Sequence, residues 1–383
     1  MAGPVNIADL RVMARRRLPR VVFDFIDGGA QDERTLEANS RDLEAMRLNP
    51  RVLVDVSQRN LKVELFGQEF ALPMLLSPIG LTGLASPKGE IDAARAAKAA
   101  GIGYCLSTNA STSIEELAEK IPHPFWFQLY VMKDRGLTQS LMDRAKAAGC
   151  TALVMTVDLA AHGKRERDAR NGFSVPPRIS FADGLNAALH PGWLIRMMSG
   201  PRLTFANYKT GADEGFLQLS QHIASQFDPS ITWKDIEWAK QVWGGPLVIK
   251  GILRGDDAVR AIDHGADGIS VSNHGGRQLD GVPSAIRALP RVVDAVSGRI
   301  PVLMDGGIRR GSDIIRARAL GAKAVLVGRA FVYALAALGP TGPAHAIEIL
   351  RGELENTLAL LGLPSIDDVD RSVLDEGGGW AES

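Results

Sequence analysis

Pro301-Val302-Leu303-Met304-Asp305-Gly306-Gly307-Ile308-Arg309-Arg310-Gly311 and, after a short helical stretch, Lys323-Ala324-Val325-Leu326-Val327-Gly328-Arg329 decide the fold. Both apolar runs lack polar alternation and end near glycine, while Ser312–Leu320 between them spaces its apolar residues at the helical period. A continuously apolar strand is one covered on both faces, and strand, helix, strand in succession builds a parallel sheet under helices. The same rhythm runs upstream through Leu72–Ser77, Gly103–Ser107, Phe125–Val131, Ala152–Asp158, Pro246–Lys250 and Gly268–Ser272. Helical patterns at Glu90–Ala100, Ile114–Lys120, Leu137–Ala148, Trp233–Trp243 and Asp256–His264 separate them. Eight strands in roughly 250 residues predict an α/β chain folded as a (β/α)8 TIM barrel. The rival, a doubly wound sheet, needs a glycine-rich fingerprint after an early strand, and Pro78-Ile79-Gly80 is not one.

The rhythm is interrupted twice. After strand 4, residues 159–231 pass before the next clear helix and strand, a long insertion far beyond ordinary βα loops; its inserted segment is placed at 178–230. The first seventy or so residues form an N-terminal helical appendage, with a basic helix at Ile7–Arg17, the pair Gly28-Gly29 and a proline-bounded segment. The chain, 1–383, is read as a single domain. Its longest uncharged stretch, Phe70 to Pro87, is just long enough to cross a bilayer. Pro73, Pro78 and Pro87 break it, so it reads as a buried strand and turn.

The 383 residues are 45% hydrophobic and 23% charged, the make-up of a globular protein rather than a disordered one. Lys plus Arg and Asp plus Glu both number 44, so no global field draws the chain to nucleic acid, and an anionic ligand must be held by a local site. Cys105 and Cys150 make no disulfide framework and no metal-type pair, which predicts no metal and a reducing compartment. Met1 to Arg20 carries arginines and lacks the apolar core of a signal peptide, so a cytoplasmic location is expected.

Barrel enzymes gather their chemistry at the C-terminal ends of the strands. The sixth run ends Ser272-Asn273-His274-Gly275-Gly276-Arg277-Gln278-Leu279-Asp280. This stretch holds an imidazole for proton removal, a guanidinium for an anion and a carboxylate to orient one of them. Glycine-rich turns after the seventh and eighth runs, each beside an arginine and each leading into a helix, can offer backbone N–H groups to a phosphate. Lys250 puts a cation at the barrel mouth and calls for an anion, which an electron-rich cofactor would supply. The stretch Gly163-Lys164-Arg165-Glu166-Arg167-Asp168 after Asp158 reads equally as a salt-bridged surface loop and as part of the site.

Together these residues resemble the FMN-dependent 2-hydroxy acid oxidase and dehydrogenase family, over nearly the whole chain. The matching motifs are Leu18-Pro19 with Gly28-Gly29-Ala30, Phe127-Gln128-Leu129-Tyr130, Thr156-Val157-Asp158, Arg165-Glu166-Arg167-Asp168, Lys250-Gly251, the run from Ser272 to Asp280, and Asp305-Gly306-Gly307. The resemblance implies that His274 is the base, with Asp158 orienting it, and that Arg165 and Arg277 bind the substrate carboxylate beside Tyr130. It implies FMN as cofactor. Lys250 would lie near the flavin N1–C2=O edge; Ser107, Gln128, Thr156 and Ser272 would belong to the ring's polar surround, with Pro78, Ile79 and Gly80 passing along the ring. Asp305, Gly307, Arg309, Gly328 and Arg329 would take the ribityl chain and phosphate. Asn109 and His162 align with positions lining the substrate pocket.

One position departs from the family: Phe25 stands where a substrate-binding tyrosine is usual, so a hydrogen bond to the carboxylate is lost and the pocket gains apolar surface. The implied reaction is oxidation of a small (S)-2-hydroxy acid, mandelate-like or lactate-like, to the 2-oxo acid. Gly80, where oxidases of the family commonly carry Ala, implies a quinone or protein electron acceptor rather than oxygen. The resemblance further implies a homotetramer and, through residues 178–210, peripheral contact with the cytoplasmic membrane face. In that stretch Ile179, Phe181, Leu185, Leu189, Trp193, Leu194, Ile195, Met197, Met198, Leu203 and Phe205 mix with Arg178, Arg196, Arg202 and Lys209. A water-excluding lid over the mouth explains the same composition. An oxidase releasing hydrogen peroxide, a flavin or phosphate barrel isomerase and a non-catalytic phosphate-binding barrel remain as other readings.

Overall fold

The computed structural model describes residues 3–172, 181–208 and 216–375. Three helices open the chain: α1 (Ile7–Arg17), α2 (Arg20–Asp27) and α3 (Arg34–Ala45). A hairpin, β1 (Val63–Leu65) and β2 (Gln68–Phe70), follows; the sequence pattern gave no sign of it because each strand is only three residues long. Phe66 at its turn and Phe70 pack on Trp126 with ring centroids 5.6 and 6.3 Å apart, so the hairpin covers the end of the barrel where the strands begin.

The barrel is built from β3 (Met74–Leu76), β4 (Gly103–Ser107), β5 (Trp126–Leu129), β6 (Ala152–Thr156), β7 (Leu247–Ile252), β8 (Gly268–Val271), β9 (Val302–Asp305) and β10 (Ala324–Val327). All neighbours are parallel, and β10 pairs with β3 to close the ring. Each strand falls on one of the eight apolar runs, and nearly every strand residue is buried, as expected of a sheet with side chains inside and helices outside.

The helices along the chain are α4 (Gly89–Ala100), α5 (Ile114–Lys120), α6 (Arg135–Ala147), α7 (Glu166–Arg170), α8 (Phe181–Ala188), α9 (Pro191–Ser199), α10 (Phe216–Gln226), α11 (Trp233–Trp243), α12 (Gly255–Asp263), α13 (Ala285–Val296), α14 (Gly311–Ala319), α15 (Arg329–Leu338) and α16 (Gly342–Leu360). Side-chain caps set several starts: Ser113 accepts from Glu116 N at 3.1 Å, and Asp134 accepts from Leu137 N at 3.0 Å. Thr232 and Asp235 form a capping box on α11.

Helices α7 to α10 occupy the long insertion between β6 and β7. Its described part is tied to the mouth of the barrel: Trp193 Nε1 donates to Leu84 O at 2.8 Å, Ala206 N to Ala110 O at 3.0 Å, and Asn207 Nδ2 to Thr108 O at 3.2 Å. The outer side of α8 and α9 leaves Leu189 70% and Met198 78% exposed. Arg178, Ile179, Lys209 and Thr210, counted in the same segment, lie outside the described residues, as does the side chain of Phe181.

Candidate active site

The parallel register brings the polar ends of the strands into one layer. Lys250 on β7 pairs with Thr156 on β6. Its ammonium is buried, 3.0 Å from Asp305 Oδ2, and donates to Ser272 Oγ at 2.9 Å; Ser272 Oγ donates to Asp305 Oδ1 at 2.7 Å. Burial works against a charged lysine, but the Asp305 and Asp158 carboxylates outweigh it and keep the group cationic. The anion that Lys250 requires is therefore already in the protein. Beside it, Ser107 Oγ donates to Gln128 Oε1 at 3.2 Å and Gln128 Nε2 to Thr156 Oγ1 at 3.1 Å.

His274 follows β8 with φ of 58°, and Gly275 and Gly276 follow at 64° and 74°. Three successive left-handed residues turn the chain sharply, and a non-glycine residue among them is strained. Ser272 Oγ accepts from His274 N at 3.0 Å and secures the turn. His274 Nδ1 lies 2.9 Å from Asp158 Oδ1. A carboxylate at Nδ1 selects the tautomer with its proton there, leaving the Nε2 lone pair available. Burial lowers the imidazole pKa, partly opposed by the Asp158 charge, so the ring is neutral at pH 7. Burial works against the Asp158 carboxylate, but the His274 ring, protonated at the acid pH where that carboxylate titrates, and the Lys250 ammonium outweigh it and hold Asp158 below the usual carboxylate range.

Asp280, expected within the compact unit after β8, is elsewhere: it accepts from Thr35 N at 2.8 Å and Arg34 N at 3.3 Å, at the start of α3. The carboxylate on His274 is Asp158. Gln278 joins the two loops, donating to Asp158 O and Ala161 O, both at 3.0 Å.

Arg277 Nη1 donates to Phe25 O at 2.8 Å and Gly28 O at 2.9 Å, and its guanidinium lies 5.3 Å from the centre of the Phe25 ring. Arg165 precedes α7, and its Nε reaches Arg277 O at 3.4 Å. The pair Gly28-Gly29 permits this approach: a Cβ on Gly29 would stand 2.8 Å from Gly276 O. Burial and the Asp158 charge push the Tyr130 hydroxyl up to about 12, so it is a neutral donor.

One cavity of about 500 Å³ gathers Phe25, Pro78, Ile79, Gly80, Ser107, Asn109, Tyr130, His162, Arg165, Lys250, His274, Arg277, Asp305, Gly307, Arg309, Gly328 and Arg329. Asp158, Gln128, Thr156 and Ser272 stand behind that wall, bonded to residues within it or beside it. The anion cradle differs from expectation at one turn. The N–H groups of Arg309 and Arg310 are both taken by Asp313 Oδ2 at 2.9 Å, and that of Gly311 by Glu353 Oε2 at 2.8 Å, so the start of α14 is already capped. The start of α15, after Gly328, carries no side-chain cap and is flanked by Arg309 and Arg329.

Sequence reasoning missed Ser220, Ile223, Ala224 and Phe227, which α10 and the residue after it bring to the same cavity. Phe227 meets the Tyr130 and His162 rings at 5.4 and 4.5 Å between centroids. No local pattern marks these positions, because α10 belongs to the insertion and has no place in the barrel rhythm. Asn109, expected to face a ligand, accepts a hydrogen bond from Tyr208 at 3.1 Å.

An imidazole held by a carboxylate, two guanidiniums next to it and an uncapped helix start across the same cavity equip a barrel oxidoreductase for a small anionic substrate and a phosphate-bearing cofactor. The FMN-dependent dehydrogenase profile matches residues 14–376, and the chain belongs to that family; it is an FMN-dependent 2-hydroxy acid oxidoreductase. It is 47% identical over 373 residues to the L-lactate dehydrogenase of Caulobacter sp. (strain K31), covering 96% of this chain and 98% of that one. It is 48% identical over 370 residues to the L-lactate dehydrogenase of Xanthomonas axonopodis pv. citri (strain 306), covering 96% and 95%. Among solved structures it resembles the monotopic membrane protein (S)-mandelate dehydrogenase, with a TM-score of 0.94 and 40% identity over 98% of this chain and 100% of that one. It also resembles mandelate oxidase with (S)-4-hydroxymandelic acid, with a TM-score of 0.84 and 41% identity over 97% of this chain and 98% of that one.

Proposed function

We propose that the protein oxidises an (S)-2-hydroxy acid with an aromatic or otherwise bulky side chain to the 2-oxo acid and delivers the electrons to a quinone or protein acceptor. The reaction removes two electrons and two protons, turning the Cα–OH into C=O. Arg165 and Arg277 hold the carboxylate, which places Cα and its hydroxyl at His274. His274 takes a proton at Nε2, and Asp158 stabilises the resulting imidazolium. Tyr130 donates a hydrogen bond to the substrate. FMN, when bound, supplies the electron sink. Lys250, Ser107, Gln128, Thr156 and Ser272 form its polar surround at the barrel floor, with Pro78 to Gly80 along it. Asp305, Gly307, Gly328 and the arginines Arg309 and Arg329 take its ribityl and phosphate end, chiefly at the start of α15.

The observation that carries the substrate class is the apolar lining that Phe25, Leu81, Leu159, Phe205, Ile223 and Phe227 give the cavity holding the base and arginines, with Phe25 against Arg277 and Phe227 against Tyr130 and His162. The test is an anaerobic flavin-reduction screen over 2-hydroxy acids, followed by admission of air. Mandelate-like acids are expected to reduce the flavin faster than glycolate, and reoxidation by air is expected to be slow. Faster reduction by glycolate would overturn the substrate class, and prompt stoichiometric hydrogen peroxide would make the protein an oxidase.

The pH profile tests the base. His274 must be neutral to accept a proton and burial lowers its pKa. kcat/KM is therefore expected to hold its plateau at pH 7 and to fall with acid only below the ordinary histidine value of about 6.5. Asp158→Asn removes a charge that raises the imidazole pKa, so the acid limb should move further down while kcat falls. An acid limb that moves up would remove Asp158 from this role.

The insertion has an inner side tied to the barrel mouth and an outer side bearing Leu185, Leu189, Leu194, Ile195 and Met198 exposed. This fits a lid whose outer face rests on a membrane surface; among the described residues no helix is long and apolar enough to cross one. Pelleting with anionic vesicles at low and high salt tests it. Protein wholly in the supernatant at low salt rejects the membrane contact and leaves the lid.

A further inference from the structure

The backbone at the end of α2 is held by the guanidiniums of both ends of the cavity. Arg277, at the substrate end, donates to Phe25 O and Gly28 O. Arg329, at the α15 end, donates through Nε to Ile26 O at 3.0 Å, through Nη2 to Gly28 O at 2.8 Å and through Nη1 to Gly275 O at 2.9 Å. Gly28 O therefore receives both arginines, and three of the N–H groups of Arg329 are spent on the end of α2, just past Phe25, and on the turn that follows His274.

A side-chain path runs alongside. The Arg309 guanidinium lies 5.6 Å from the centre of the Tyr333 ring. The Tyr333 hydroxyl donates to Asp27 Oδ1 at 2.7 Å. Asp27, 4% exposed, also accepts from Arg11 at 2.6 and 2.8 Å and from Arg167 Nη1 at 3.0 Å. Burial alone would raise the Asp27 carboxyl, yet the Arg11 and Tyr333 hydrogen bonds bring it down to about 2. Arg167 sits in α7, two residues after Arg165, and also pairs with Glu33, whose Oε1 accepts from Gly29 N at 2.7 Å. None of Asp27, Tyr333 or Arg167 has a part in the chemistry described above.

We infer that residues 25–28, with Asp27 and Tyr333 as positioning residues, couple anion binding at Arg309 and Arg329 to the placement of Arg165 and Arg277, so that the cofactor phosphate sets the substrate-carboxylate site. The inference rests on the assignment of those two arginine pairs in the proposed function. The cations repel one another: after burial, the charges of Arg165 and Arg329 are what most disfavour a charged Arg277. A phosphate at Arg329 offsets that repulsion and fixes the carbonyl that Arg277 shares. Coupling of this kind is reciprocal.

The experiment compares enzyme reconstituted with saturating FMN and with saturating riboflavin, titrated with oxalate and read by the flavin absorbance change. Through-space repulsion between the phosphate and oxalate, acting alone, would make the FMN form the weaker oxalate binder; the coupling has the opposite sign and outweighs it. Oxalate is expected to bind the FMN form about tenfold more tightly, with inorganic phosphate restoring much of the difference to the riboflavin form. Tyr333→Phe removes the hydroxyl and leaves the ring under Arg309, and it should weaken oxalate binding to the FMN enzyme about fivefold and shrink the ratio between the two flavins. Asp27→Asn should do the same. A ratio of one in the wild type, or a ratio unchanged in both variants, overturns the coupling, whatever the melting temperatures do. Arg277→Lys separates the two levels: loss of oxalate binding with a wild-type ratio of one sinks the coupling alone, whereas full oxalate affinity in that variant sinks the assignment beneath it.

Discussion

His274→Ala is expected to abolish flavin reduction by the substrate while FMN stays bound with an unchanged visible spectrum. Among the described residues at the cavity, the imidazole alone has an orienting carboxylate on one ring nitrogen, leaving the lone pair of the other to accept a proton. Losing a positioned general base costs at least about a hundredfold in rate. The residues proposed to hold the cofactor are others, chiefly Lys250, the hydrogen-bonded row Ser107–Gln128–Thr156 and the start of α15, so the substitution leaves them in place. Single-turnover reduction followed at the flavin absorbance is the measurement. A variant reduced at close to the wild-type rate would remove His274 from the mechanism and leave Tyr130 as the next group to examine.

Arg277→Leu carries the other large effect, a loss of about a hundredfold or more in kcat/KM, because one partner of a partly buried charge pair is removed. The substituted side chain no longer meets the carboxylate, and the carbonyls of Phe25 and Gly28 lose a donor. Arg277→Lys keeps the charge but not the planar fork, and should fall between the two. Steady-state kinetics across the panel of 2-hydroxy acids reads the result. Comparable losses for all of them are expected, since the carboxylate is common to all; a loss confined to bulky acids would mean that Arg277 acts through the Phe25 ring instead.

Much of the architecture was legible because its signals are local. Apolar runs such as Ala152–Asp158 and Gly268–Ser272 mark strands buried on both faces, and the six helices expected between the runs differ from the observed spans by no more than two residues, as at Arg135–Ala147, whereas α13 (Ala285–Val296) was given no span. The hairpin Val63–Phe70 was not legible, since three-residue strands have too few positions to show a period. The insertion was seen as a gap in the rhythm, but nothing in its composition shows that α10 carries Ile223 and Phe227 into the cavity.

The barrel, the side chains at the strand ends and the family could be read from the chain alone, because burial on both faces and strand-end chemistry are written in contiguous residues. Which of those side chains meet depends on how the closed barrel brings distant strands together. His274 takes its carboxylate from Asp158, 116 positions away, as the family resemblance implied and the local stretch did not show, while Asp280 in that stretch serves the start of α3. Asp305 pairs with Lys250, and Asp313 with Glu353 caps the helix whose start, after the glycine pair at 306–307, reads in the sequence as a phosphate site. A carboxylate goes to whichever unpaired donor the fold sets within hydrogen-bond reach, and closing the barrel places residues of distant strands nearer than neighbours in the chain.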